Sequence, residues 1–449
     1  MLKDRETLIL YTTAVCNLNC KYCFIDKNPA LKVIDQYLDD SFMKTKDYYF
    51  NYAKEMFIQD KLKEIQIWGG EPFLAMHRAY DTIDKCINYF PNLKTIMAST
   101  NMVSDVFFDE FFGLINVLKQ HPNRQFIFSL QLSLDGIKEI NDRNRGEGVT
   151  DKFEKNFKIL VQCMQELLPD NVEVRAHLKP TLDSSSIKIL QSKEKIVEQF
   201  RYFETFNMVY LDINKKPNFK FSLPIPNTAC PSPHNQQDGI RFANYCRMTR
   251  ELERENRQQK IFKYYRSITS FIPRNHIDYS NVRLSEVCMG HCGNGKFAIG
   301  LLPNKMVSCC HNGFVDLIAD YKKNVLNKSE HMDSVTIEKS LFKNERNTLI
   351  FKQGSKELEN YEKQLEVFYQ KDTTKMTNIA SLIMLLGSYG QIDKKYANKE
   401  EAIRGAMFIM GATSYCVRDN LGTTGSIYMY PLGLIRLLLN GAREYIEQQ

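Results

Sequence analysis

The chain has 449 residues, of which 43% are hydrophobic and 25% charged, and its formal net charge is +7. This length allows a catalytic domain with one or two additions, and the composition is that of a globular protein. No segment is long and apolar enough to span a membrane, and no dense Lys and Arg stripe indicates nucleic acid binding. The first residues lack the features of a secretory signal, which predicts a cytoplasmic protein.

Short apolar runs alternate with amphipathic stretches over the first half of the chain. Between the runs lie helix-like segments near 41–59, 76–89, 105–119, 151–168 and 186–204. The predicted strands are 7–13, 64–70, 94–100, 126–134, 172–180 and 207–213. Six strands that alternate with helices predict a parallel α/β sheet, either doubly wound or a partial barrel. Periodicity alone leaves both architectures open.

The pattern changes after residue 213. Residues 214–235 are rich in Pro, Asn and Ser, which predicts a connector, and a charged helix follows near 238–266. Residues 283–313 carry Gly and Cys and predict a small metal or hairpin module. Further helices are predicted near 333–370, 373–388, 399–417 and 429–447. The predicted divisions are a barrel at 1–213, a connector and helix at 214–282, a cysteine module at 283–330 and a helical region at 331–449.

Twelve cysteines are distributed unevenly, with three at 16–23 and four at 288–310. Clustered cysteines in a cytoplasmic chain favour metal binding over disulfides. Cys16, Cys20 and Cys23 follow the first predicted strand directly, at an edge of the sheet where ligands bind. Three thiolates on a four-iron cluster leave one iron open for a small molecule. A zinc site with a distant fourth ligand, or coincidence, remains the alternative.

The CxxxCxxC loop, with Tyr22 before its last cysteine, resembles the signature of the radical S-adenosylmethionine enzymes. The resemblance implies a [4Fe–4S] cluster whose open iron binds the amino and carboxylate groups of S-adenosylmethionine. An electron from the reduced cluster would then cleave the sulfonium and give a 5′-deoxyadenosyl radical. It also implies a partial (β/α)6 TIM-like barrel over about residues 7–213.

Three further segments resemble motifs of this family, in the same order along the chain. Gly69, Gly70 and Glu71 match its GGEP motif, which implies close backbone approach to the ligand and an acceptor for the cofactor ammonium. Asn101 ends an STN segment that is similar to a TNG motif, although Met102 replaces the expected glycine.

The third segment, LSLDGIKEINDRNRG at 132–146, resembles the SLDG region of the family. There the resemblance implies that Ser133 contacts the cofactor carboxylate and that Asp135 anchors the loop or the ribose side. Arg145 matches the family arginine, either pairing with a carboxylate or lying exposed at a helix start. Asn141 stands where the family often has His.

The second cysteine group resembles the start of a SPASM or twitch extension, which binds an auxiliary cluster. Cys292 and Cys310 align with that pattern, while Cys288 and Cys309 are additional. After Cys310 only Cys416 follows, so two complete auxiliary clusters are not expected. A second Fe–S cluster, a zinc site that includes His291 or His311, and no metal at all stay open.

The resemblance implies a peptide or protein substrate, as in post-translational maturation. A small-molecule substrate such as a sugar, nucleoside or amine is the first alternative, and a non-catalytic Fe–S or zinc binding module is the second. The chemistry implies an electron donor of the flavodoxin or ferredoxin type. No catalytic residue is assigned; Asp212, His177 and Lys179 are the proton-transfer candidates near predicted strand ends.

Overall fold

The computed structural model describes residues 5–23, 30–45, 47–222, 227–228, 298–302, 305–309 and 350–370, together with scattered positions between 241 and 255. The largest sheet has nine strands in the order β11-β10-β9-β1-β2-β3-β4-β5-β7. A second sheet pairs the short strands β6 and β8. The strands are β1 (Thr7–Thr13), β2 (Glu64–Gly69), β3 (Thr95–Thr100), β4 (Phe126–Leu132), β5 (Val172–Leu178), β6 (Thr181–Leu182), β7 (Phe219–Ser222), β8 (Asn227–Thr228), β9 (Ala298–Leu302), β10 (Met306–Ser308) and β11 (Ile350–Lys352).

Helices connect the first strands, as the alternating pattern predicted. They are α1 (Ala30–Met43), α2 (Tyr48–Met56), α3 (Tyr80–Tyr89), α4 (Phe107–Lys119), α5 (Lys138–Arg145), α6 (Val149–Leu167), α7 (Ser184–Ile189) and α8 (Lys193–Ile213), with α9 (Lys356–Gln370) later in the chain. Two short 3₁₀ helices, Pro72–Leu74 and Met76–Ala79, follow β2. No helix among the described residues is both long and apolar enough to cross a membrane.

The strand order selects the partial barrel over the doubly wound sheet. Strands β1 to β5 and β7 are parallel and neighbour one another in chain order, without the reversal that a doubly wound sheet contains. Right-handed crossovers that always advance in one direction place their helices on one face of the sheet. The prediction of a partial (β/α)6 barrel is therefore confirmed, and the sheet is open.

In β2, β4 and β5 one face forms the core and the other is less buried and mostly polar, whereas β1 is buried along its whole length. Alternate residues such as Ile67, Phe128 and Val174 are fully buried in a hydrophobic cluster. Between them, residues such as Gln131 and His177 are only half-buried. This period-two pattern is the one expected of strands with one covered face.

The predicted sixth strand at 207–213 is wrong. These residues form the last two turns of α8, and the sixth parallel strand is β7, inside the predicted connector. In α8 the exposed side chains of Met208 and Leu211 lie three residues apart, at helical spacing. Phe219 of β7 is fully buried, so β7 supplies the apolar core contact that the sequence pattern predicted for residues 207–213.

The described part of the cysteine module extends the barrel sheet. Strand β9 is parallel to β1 and pairs with its outer edge, and β10 pairs antiparallel with β9 as a hairpin partner. Strand β11 then pairs with β10, which contradicts a continuous helix over 333–370, although its last part is helix α9. The predicted helices beyond residue 370 lie outside the described residues.

Candidate metal and cofactor site

Gly69, the last residue of β2, and Gly70 bring the end of this strand against the backbone of the cysteine loop. The amide of Gly70 donates to the Thr13 carbonyl at 2.9 Å, and that of Glu71 donates to the Val15 carbonyl at 2.9 Å. A Cβ on Gly69 would lie 2.4 Å from the Thr13 oxygen, and one on Gly70 would lie 2.3 Å from the Val15 oxygen. Only glycine fits this approach. This close approach is to the loop that carries the cysteines, and the predicted approach of the glycines to the ligand stays a prediction.

Glu71 joins the ends of two strands. Its side chain is 1% exposed and accepts hydrogen bonds from the backbone amides of Asn101 at 2.7 Å and Phe73 at 3.2 Å. Burial raises the pKa of Glu71 to about 7, although the Asn101 amide works in the opposite direction. Each carboxylate oxygen of Glu71 already accepts one hydrogen bond from a backbone amide. That Glu71 also accepts a hydrogen bond from the cofactor ammonium stays a prediction.

Asn101 contacts the first half of the cysteine loop. Its side-chain amide donates to Asn17 Oδ1 at 2.7 Å and lies 3.8 Å from Cys16 Sγ. The Leu18 amide lies 3.4 Å from the same sulfur. Donors of this kind around a sulfur are typical of cluster ligands. The prediction that Asn101 also contacts the cofactor remains open.

Met102, which stands where the family has glycine, adopts the glycine conformation. Its φ is 60°, its amide donates to Thr100 Oγ1 at 2.9 Å, and its carbonyl accepts from Asn156 at 2.8 Å. The side chain is fully buried in the core. The partial motif match therefore keeps the turn geometry and adds an apolar core contact.

The second half of the cysteine loop is anchored by Asp135. This carboxylate is fully buried and accepts from the Tyr22 hydroxyl at 3.0 and 2.8 Å, from Arg145 at 2.7 Å and from the Thr181 amide at 3.0 Å. Asn141 supports the same loop, because its Oδ1 accepts from the Asp135 amide at 3.0 Å. Asp135 therefore joins Tyr22 of the cysteine loop to Arg145 and to the backbone of Thr181, and its predicted place on the ribose side of the cofactor stays a prediction.

Arg145 is the last residue of α5 and is only 7% exposed, so the alternative of an exposed arginine at a helix start is wrong. It pairs with the Asp135 carboxylate, and its guanidinium lies 5.6 Å from the Tyr22 ring centroid. Burial alone would lower the pKa of Arg145, but the neighbouring Asp135 carboxylate raises it. The cation is therefore permanent.

The three loop cysteines lie within electrostatic reach of one another. Burial raises the pKa of the Cys16 thiol to about 12, and Glu71, Cys20 and Cys23 add to that rise. Within the described residues, no three His, Cys, Asp or Glu side chains already form a group that could hold a metal ion. A four-iron cluster binds its thiolates on separate irons, so they need not converge on one ion.

The donors around this loop fit an anionic cluster with its cofactor. The Nε–H of Arg145 is buried, and no described residue accepts a hydrogen bond from it. The Ser133 amide donates to the Thr100 carbonyl at 2.8 Å, while its half-buried hydroxyl has no partner among the described residues. Both groups are free to donate to a negatively charged group, which is what the resemblance implied for them.

Two residues that the sequence reasoning missed fix the start of the cysteine loop. Asp35 of α1 accepts from the Ala14 amide at 3.0 Å and from the Thr13 hydroxyl. Arg78 donates to both Asp35 oxygens at 3.1 Å and to the Thr12 carbonyl at 2.9 Å. Neither residue belongs to a recognised motif, and 43 positions separate them, so no local pattern could have indicated the pair.

The proton-transfer candidates separate into two groups. His177 and its neighbour Lys179 are half-buried, on or just beyond β5, and follow its polar face. Burial, followed by Lys179, lowers the pKa of His177 to about 4, and burial also lowers the pKa of Lys179. Asp212 was misplaced, because it is exposed on helix α8 and does not end a strand.

Of the second cysteine group, only Cys309 lies within the described residues. It directly follows β10 and is 1% exposed. Burial raises the pKa of its thiol to about 12, while the nearby Arg5 lowers it. Cys288, Cys292 and Cys310, with His291 and His311, lie outside the described residues, so the second Fe–S cluster or zinc site stays a prediction.

A family comparison agrees with the motifs. Residues 10–167 match the model of the Radical SAM superfamily. A search of curated proteins found no match. Among solved structures, native anSMEcpe with bound AdoMet is 17% identical, with a TM-score of 0.38, over 68% of this chain and 74% of that chain. Streptococcus suis SuiB bound to S-adenosylmethionine is 15% identical, with a TM-score of 0.35, over 68% of this chain and 58% of that one. The match over residues 10–167 includes the cysteine loop and the residues that hold it, so this third of the chain is similar to the Radical SAM superfamily.

Proposed function

We propose that this protein is a radical S-adenosylmethionine enzyme that acts on a peptide or protein. The observation that carries the proposal is the anchored loop of Cys16, Cys20 and Cys23 at the carboxyl end of the parallel sheet. These thiolates would hold a [4Fe–4S] cluster, and the chemistry that it would supply is a one-electron reductive cleavage of the sulfonium C5′–S bond of S-adenosylmethionine, with methionine as the leaving group.

The chain's own residues then bind and orient the cofactor. Gly69, Gly70 and Glu71 fix the loop, and Ser133 and the Nε–H of Arg145 offer donors to a carboxylate. The half-buried polar face of the sheet provides the space in which a substrate C–H bond would meet the radical. Support for a peptide substrate comes from the SPASM-like segment at 286–313.

The first experiment measures iron, acid-labile sulfide and zinc on protein purified and reconstituted without oxygen. About four irons per chain would support one cluster at the loop, and about eight would support an additional cluster in the second cysteine group. Zinc with almost no iron would overturn the proposal and leave a zinc-binding module.

The same protein is then reduced and incubated with S-adenosylmethionine, and 5′-deoxyadenosine and methionine are quantified. Cys16→Ala, Cys20→Ala and Cys23→Ala should each abolish 5′-deoxyadenosine formation. Cys163→Ala is the matched control, because this half-buried cysteine on α6 lies outside the loop and should leave the product unchanged. Equal product from the loop variants and the wild type would contradict the proposal.

Substrate class is decided by a second assay. Peptides encoded beside the gene are compared with small sugars, nucleosides and amines as stimulators of 5′-deoxyadenosine formation. Mass change in a peptide would support maturation, whereas turnover of a small molecule alone would replace the peptide proposal with that alternative.

A further inference from the structure

Two arginine–aspartate pairs support the cysteine loop, one at each end; the Arg145 pair is buried and the Arg78 pair is partly buried. Arg78 and Asp35 hold the start of the loop, with nitrogen–oxygen distances of 3.1 Å. Arg145 and Asp135 hold its end, at 2.7 Å, through Tyr22. The pairs are alike in chemistry, but only the second has a described contact with a cysteine sulfur.

Arg145 directs its two terminal nitrogens at different partners. Nη2 donates to Asp135, and Nη1 lies 4.0 Å from Cys20 Sγ. The positive end of the ion pair therefore faces the sulfur. With the arginine 7% exposed and the aspartate fully buried, water and salt screen this charge weakly.

The surroundings keep the guanidinium in this position. The Tyr22 hydroxyl bonds both Asp135 oxygens, and the Lys21 amide donates to the Asn144 carbonyl at 2.9 Å. The segment from Cys20 to Tyr22 is therefore fixed against the end of α5. A rigid cation at a fixed distance from a ligand sulfur acts on a cluster with little reorganisation.

We propose that Arg145 raises the reduction potential of the cluster through its charge beside Cys20. The inference rests on the proposed function, since it requires the cluster at Cys16, Cys20 and Cys23. When the cluster accepts one electron from an external one-electron donor, its charge becomes more negative by one unit. A neighbouring cation stabilises that reduced form more than the oxidised form. Asp135 has the opposite sign and limits the effect.

The test is a potentiometric titration of the reconstituted cluster, followed by its electron paramagnetic resonance signal, in the wild type and four variants. Arg145→Gln should disfavour reduction roughly tenfold, which corresponds to about 59 mV for a one-electron couple. Arg145→Lys keeps the charge and should retain most of the wild-type potential. Asp135→Asn should raise the potential. Lys63→Gln removes a surface cation that pairs with Glu6 away from the loop, and as the matched control it should leave the potential unchanged.

Opposite shifts in the Arg145→Gln and Asp135→Asn proteins would support a charge effect, which a purely structural role does not produce. An unchanged potential in Arg145→Gln would overturn the inference. So would an equal shift in Lys63→Gln, because the loss of any cation, and not one beside Cys20, would then be the cause. If Arg145→Gln does not assemble a cluster, the Asp135→Asn variant decides the matter. A reduction potential that does not rise in Asp135→Asn would then overturn the inference. A wild type without the cluster would instead overturn the proposed function.

Discussion

At the scale of single residues, the contacts of Gly70 explain why the motif requires glycine. The amide of Gly70 and the absence of its side chain together let the β2 end touch the backbone of residues 13–15. An added methyl group would meet backbone atoms, which cannot rotate away as a flexible side chain can. The loop itself would have to move.

We therefore expect the reconstituted Gly70→Ala protein to contain substantially less iron per chain than the reconstituted wild type. The displaced cysteine loop would no longer present its thiols together. Gly354→Ala serves as the control, because no atom lies within 4 Å of its Cβ position, although its φ of +73° costs about 1–2 kcal/mol. Iron content equal to wild type in Gly70→Ala would contradict this role.

Met102 carries a left-handed backbone and a buried side chain at the same position. Replacing it with glycine relieves about 1–2 kcal/mol of backbone cost but removes core contacts worth about 2–5 kcal/mol. We expect Met102→Gly to lower the free energy of unfolding by roughly 1–3 kcal/mol. Denaturant unfolding measures it, and a stabilised variant would show that backbone strain dominates.

At the scale of elements, the sixth strand is the clearest test of the fold. Phe219 in β7 is fully buried, whereas Met208 in α8 is 62% exposed. Phe219→Ala should cost about 3–5 kcal/mol, because it leaves a cavity in the core. Met208→Ala should change the unfolding free energy by less than about 0.5 kcal/mol. If Met208→Ala destabilised the protein more than Phe219→Ala, residues 207–213 would be the sixth strand after all.

The sequence pattern predicted five of the six barrel strands to within two residues at either end, because each is an apolar run bounded by polar turns. It failed at the sixth because NMVYLDI reads as a strand in isolation, while β7 is only four residues long and lies among Pro and Asn. Pairing with β5 decides between them, and pairing is a long-range contact.

At the scale of the whole molecule, a buried ion pair connects the start of β1 to helix α9. Arg5 Nη2 and Glu362 Oε1 are 2.6 Å apart, and their side chains are 1% and 4% exposed. This contact joins residues 357 positions apart in the chain and lies beside Cys309. It ties the segment after the second cysteine group to the barrel.

Glu362→Gln should therefore destabilise the protein by about 3–5 kcal/mol, because it removes the charge that compensates the buried Arg5. Glu6→Gln is the control: Glu6 pairs with Lys63 at the surface, where an ion pair contributes at most about 1 kcal/mol. Thermal unfolding of both variants measures the difference. Equal stabilities would show that the buried pair does not connect the two parts energetically.

The sequence by itself determined the parallel α/β core, the cysteine loop after the first strand and the order of the motifs that surround it. These features are local: each depends on the spacing of a few residues or on the period of one strand. Tertiary structure alone decided that Arg145 is buried against Asp135, that Asp35 and Arg78 hold the other end of the loop, and that β9 extends the sheet beside β1. These contacts join distant positions, and their stability depends on burial and on charges that meet only after the chain has folded.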